Sequence, residues 1–109
     1  MPNVGLVYNF HHGHEQMARF PEFFPKMLPH LLAVNINGMR KDGPMILTVG
    51  EGDRELEMLK LVRSSGYKGP IGILNHMEER DAEVGLKANM AGLQKMLRAM
   101  GDEAALKTY

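Results

Sequence analysis

Three histidines, His11, His12 and His14, fall within four residues directly after an apolar run, with Asn9 two positions ahead of them. Imidazole is the side chain whose ordinary pKa lies near neutrality, so such a group can move protons or, when neutral, ligate a metal. Adjacent residues on an extended segment point apart, which leaves His12 and His14 as the pair able to address one centre. Three roles stay open for them: bonding backbone and capping the next helix, contacting substrate or transferring a proton, and holding a metal. Asn35 and Asn37 share one side of a second apolar run, with Ile36 opposite. An amide both donates and accepts, which suits sugar hydroxyls and equally suits loop backbone. Asn75 and His76 end a third apolar run.

The elements that must position these residues follow from the spacing of apolar positions. Val4–Tyr8, Leu31–Ile36 and Ile71–His76 are short runs rich in branched residues, expected as strands buried on both faces. Met17, Phe20, Phe24, Met27 and Leu28 recur at helical intervals, with Pro21 suited to a first turn, Pro25 shortening the helix and Pro29 closing it. A second helix has Leu56, Leu59 and Val62 inward, Asp53 as N-cap and Gly66 at its end. The third has Leu86, Met90, Leu93, Leu97 and Met100 inward and stops at Gly101. Strand, helix, strand, helix, strand, helix is an α/β order with parallel strands. All the polar clusters then sit at strand carboxyl ends, where parallel α/β folds bind their ligands.

Composition narrows the classes further. The chain has 109 residues, with 13 Lys+Arg against 13 Asp+Glu and no cysteine. One domain is expected, residues 1–101, followed by a frayed tail, 102–109. Interspersed charges summing to zero give no electrostatic footprint for nucleic acid or an acidic membrane. No apolar run exceeds four residues, so no membrane span is expected, and the cytoplasm is the default location unless an export signal lies upstream. Without cysteine there is no thiol chemistry or thiolate metal site. The Gly50–Asp53 turn lacks the phosphate-loop pattern, Glu78–Glu83 reads as a solvated helix start, and the ten methionines read as core filler.

Three stretches resemble the sugar phosphate isomerase/epimerase family of xylose isomerase-like TIM barrels. Val4–His14 is similar to its sixth-strand pattern, with Asn9 and His12 where the family has Asp and His. Leu31–Asn37 is similar to the seventh, with Asn35 at the family's metal-ligating His. Val49-Gly-Glu-Gly-Asp53, followed by Ser65-Gly-Tyr-Lys-Gly-Pro-Ile-Gly-Ile73, resembles the family's Gly-x-Gly-Asp turn and its Gly-Tyr-x-Gly approach to strand eight. The resemblance implies three βα units corresponding to strands six to eight of a partial (β/α)8 barrel.

For function it implies isomerase or epimerase chemistry on a sugar, sugar phosphate or polyol, assisted in the family by a divalent cation such as Mn²⁺ or Mg²⁺. In this chain, Asn9, Asn35 and Leu74-Asn75 stand where the family places Asp, His and Glu ligands. Hard cations prefer anionic oxygen, so the metal is either lost or held by a rearranged set such as His12, His14, His76 and Glu78. His12 is the expected catalytic group, with Asn9, His14, Asn35, Asn37, Asn75 and His76 binding substrate. The alternative is a metal-free carbohydrate-binding or degenerate member. In either case a narrow parallel sheet with open edges needs the remainder of a barrel, or another copy of itself, as partner.

Overall fold

The computed structural model describes residues 4–75 and 80–108. The strands are β1 (Leu6–Asn9), β2 (Leu31–Ile36) and β3 (Ile71–Ile73). The helices are α1 (Phe20–Met27), α2 (Glu55–Ser64), α3 (Ala82–Met100) and the short α4 (Glu103–Leu106). The strands form one parallel sheet in the order β1-β2-β3. Parallel strands need crossovers, and right-handed crossovers between successive neighbours bring every connecting helix to one side of the sheet. A single core lies there, in which Val34 and Ile36 of β2 meet Phe20 and Phe24 of α1, Leu59 of α2 and Leu97 of α3. Burying each of these side chains contributes about 1.5–3 kcal/mol.

Among the described residues the strands are covered on one face only. Val7 is 57% exposed, and Asn9 and Asn35 share its side of the sheet by alternation. The expectation of strands buried on both faces is therefore corrected. The apolar run at Val4–Tyr8 satisfied a pattern that does not specify how many faces are packed. At the amino end the register shifts between Leu6 and Val7, so that Leu31 and Ala33 are their partners and Leu32 bulges out.

The polar stretch after β1 coils into a 3₁₀ segment, Phe10–Arg19, interrupted at Gly13 and Gln16. Its anchors are Phe10 and Met17, both buried. Phe10 packs edge-on to Phe20 at 5.8 Å, joining this segment to α1. α1 has eight residues, as its prolines require: Pro21 starts it, and Pro25 lies within it where it cannot donate to the helical ladder.

The start of α2 differs from expectation. Arg54 precedes it in the left-handed conformation with φ of 60°, and no side chain caps the helix. Asp53 instead accepts the Lys41 N–H at 3.0 Å, while Glu55 reaches back to accept the Gly52 N–H at 3.0 Å. Glu55 is 3% exposed. Burial pushes its carboxyl above the usual range, and the backbone N–H groups of Gly52, Gly50 and Met39 partly offset this.

α3 buries Leu93 and Leu97 as expected, with Met100 packed on the core, and departs from the expected face at its amino end. Gly85, Asn89, Leu93, Met96 and Leu97 point inward, and Leu86 is 50% exposed. Glycine is the cause: a Cβ on Gly92 would overlap the Val49 carbonyl oxygen, so the helix backbone itself rests on the 49–50 turn. After Gly101 the tail, expected to fray, forms the short α4. Asp102 accepts the Ala105 N–H and pairs with Arg63 at 2.7 Å, and Ala105 and Leu106 pack on the core.

Candidate functional site

The carboxyl ends of the strands carry two neighbouring polar groupings. The first is an amide pair on the uncovered face, where Asn35 Nδ2 donates to Asn9 Oδ1 at 2.6 Å. β1 and β2 fix this pair directly, because Asn9 and Asn35 are register partners. Gly72, the β3 partner of Asn35, makes room for it, since a Cβ there would overlap Asn35 Oδ1. One bond between two amides leaves the Asn9 NH₂ group, one N–H of Asn35 and the Asn35 carbonyl oxygen for a ligand.

The second grouping is a depression of about 340 Å³ in the 3₁₀ segment and the loop after β2. It is lined by His11, His12, His14, Glu15, Gln16 and Met45. The rings of His11 and His12 lie against each other with centroids 4.2 Å apart. His12 is exposed. His14 Nε2 meets the Arg40 carbonyl oxygen at 2.5 Å, which fixes that ring as a brace between the segment and the loop.

Asn37 joins the groupings but faces neither. It is buried, its Oδ1 accepts the His11 N–H at 3.1 Å, and its Nδ2 donates to the Gly38 and Met45 carbonyls at 2.8 Å each. These bonds hold the 38–47 loop over the sheet end together with the Gly38–Leu47 bridge. The structure gives the Asn37 amide, expected to contact substrate, to backbone instead. Asn75 is likewise engaged, donating to the Ala82 carbonyl at 3.1 Å and accepting from Asn89 at 3.2 Å. It ties β3 to α3. His76, together with Glu78, lies outside the described residues.

Among the described residues, the pairing of His12 with His14 as metal ligands finds no third partner. Among the described residues, no group of three His, Cys, Asp or Glu side chains is placed to hold a metal ion. The amide pair supplies only neutral donors, and the depression beside it holds imidazoles with a single carboxylate, Glu15, too few anionic oxygens for a hard divalent cation. Glu15 and Gln16 line the depression as the next residues of the same 3₁₀ segment, whereas Met45 joins the histidines through tertiary structure that spacing does not encode. Met45 arrives only because Asn37 grips its carbonyl. Away from these groupings, Arg80 Nη1 donates to the hydroxyl of buried Thr48 at 2.7 Å.

Tyr8 underlies the 3₁₀ segment. Its ring packs among Phe10, Phe20 and Phe23, and its hydroxyl is pressed against Gly13, buried and without a hydrogen-bond partner. Burial pushes its pKa up to about 12. It is therefore a neutral packing group, removed from proton transfer at ordinary pH. No helix among the described residues is long and apolar enough to cross a membrane. Comparison with protein-family models, with curated proteins and with solved structures finds no match to this chain.

Proposed function

We propose that this chain binds a sugar, sugar phosphate or polyol at the carboxyl end of its sheet, as a segment related to the isomerase/epimerase barrels. The observation that carries this reading is the Asn9–Asn35 pair, two register partners held 2.6 Å apart on the uncovered face. Paired amides with unspent donors and an acceptor complement vicinal hydroxyls, which themselves donate and accept. Any chemistry falls to His12, the exposed imidazole of the adjoining depression, which shares that depression with the Glu15 carboxylate.

The neutral Asn9–Asn35 pair favours a second reading, binding without turnover. The test is a titration of the ¹⁵N-labelled protein with aldoses, ketoses and their phosphates in the presence of chelator, with the sugar followed by NMR. Saturable shifts of the Asn9 and Asn35 side-chain amides support the binding reading, and appearance of an isomer assigns turnover. Absence of shifts at millimolar ligand overturns both.

A further inference from the structure

We infer that the ligand of the Asn9–Asn35 pair is an uncharged sugar or polyol and not its phosphate ester, because the groups that would hold a phosphate at this end of the sheet are already occupied by the chain itself. The inference rests on the polyol-binding reading and narrows its substrate class. A phosphate is held by Arg or Lys side chains, or by backbone N–H groups clustered at a turn or a helix start.

The cations are engaged elsewhere. None of the three strands contains a charged residue. Among the described residues no Lys or Arg lines the depression beside the pair, and its one carboxylate, Glu15, repels an anion. Arg40 folds over its own turn, where a Cβ on Gly43 would lie 3.3 Å from the Arg40 Cβ and 3.7 Å from its Cδ. Arg19 pairs with Glu22 at 3.2 Å, and Arg80 bonds the Thr48 hydroxyl at 2.7 Å. Lys41 stands beside the Asp53 carboxylate, which accepts its backbone N–H. The chain that follows β3 reads His76-Met77-Glu78-Glu79, with two carboxylates and no Lys or Arg.

The backbone N–H groups are given to acceptors of the same chain. The His11 N–H, at the start of the 3₁₀ segment, goes to Asn37 Oδ1 at 3.1 Å. The glycine-rich turn after Val49 turns the N–H groups of Gly50 and Gly52 toward the buried Glu55 carboxyl, so an acid of this chain sits where a phosphate would. Asp81 does the same at α3, accepting from the Glu83 and Val84 N–H groups at 3.0 and 3.2 Å. α2 starts without a side-chain cap, but the cleft at its start is walled by Lys95 and Met96 of α3, in the helix layer and not on the uncovered face. A phosphate dianion brought to the amide pair would lose water against neutral amides and a carboxylate, with no cation to compensate. An uncharged ligand escapes that penalty, and its hydroxyls match the unspent donors and acceptor of the two amides.

The test is a calorimetric and NMR titration in which each aldose and ketose is paired with its terminal phosphate ester, at low and at high salt. The uncharged member should bind tighter by about tenfold at low salt, and the ratio should narrow as salt screens the charges. Glu15→Lys, at an exposed position, reverses the charge of the depression and should bring the ratio to one or below, with circular dichroism verifying the fold. An ester that binds as tightly as its parent sugar, inorganic phosphate that displaces the sugar, or a ratio unmoved by Glu15→Lys overturns the inference and leaves the polyol reading standing. Binding of neither member of any pair sinks the polyol reading, and this inference with it.

Discussion

Asn89, in the middle of α3, accepts the Val49 N–H at 2.8 Å across 40 residues of chain. Its Nδ2 donates to Asn75 just after β3, so one buried amide fastens α3 both to the turn before α2 and to the sheet. Removing it leaves a buried backbone N–H unsatisfied. Asn89→Ala should therefore cost about 1–3 kcal/mol in urea unfolding. Gly92→Ala should cost more than that, because its Cβ would meet the Val49 carbonyl itself. A Gly92→Ala protein as stable as the parent would contradict the close approach of α3.

Glu55 should make stability fall as pH rises. Its carboxyl titrates above the usual range because burial disfavours the charge. The stability associated with its neutral form is fully present below the unfolded-state pKa and is lost as pH rises through the raised folded-state value. Glu55→Gln keeps an acceptor for the Gly52 N–H and removes the charge, so it should flatten this dependence and be at least as stable at neutral pH. Glu55→Ala forfeits the acceptor and should be less stable by about 1–3 kcal/mol. Chemical denaturation of the three proteins from pH 4 to 8 checks the order.

Tyr8 gives a second, alkaline window. Its folded-state value of about 12 exceeds the ordinary 10.0, so stability holds below the lower value and is lost as pH climbs through the higher. Tyr8→Phe deletes a buried hydroxyl with no partner and keeps the ring packing. The variant should match the parent or exceed it by up to about 1 kcal/mol near neutrality. It should also lose the latest-ionising step in an ultraviolet titration of the tyrosines.

At the sheet end, Asn35→Ala should abolish sugar-induced shifts at Asn9 while leaving the fold intact, because Asn35 lies on the uncovered face. His12→Ala should leave binding within a few-fold and remove turnover wherever turnover is found. Unchanged turnover in His12→Ala would take that residue out of the chemistry.

The βα order was legible because branched apolar runs and helical spacing are local properties, and all three strands and their parallel pairing follow from them. Faces were harder to read. Leu86 fits a helical stripe as well as Gly85 does, and only the approach of α3 to the Val49 carbonyl decides between them. Asp53 has the chemistry of an N-cap, yet the left-handed Arg54 beside it directs the helix start elsewhere. In the site, residue type located Asn9, Asn35, Asn37 and Asn75 at strand ends, but type cannot say which amides are already consumed. Asn37 is used up by Met45 and His11, partners distant or irregular in sequence, whereas Asn9 and Asn35 satisfy each other only in part.

The strand order has a consequence for how the chain reaches this structure. Each strand pairs with the one before it, β1 with β2 and then β2 with β3, and no strand waits for a partner more than one unit away. Such a sheet can be laid down in the direction of synthesis, since each emerging βα unit finds its docking edge already formed. The edge exposed at every stage is also the next template. A pause in translation after β2 would leave that edge open, and capture of nascent chains by one another should be greatest at that point.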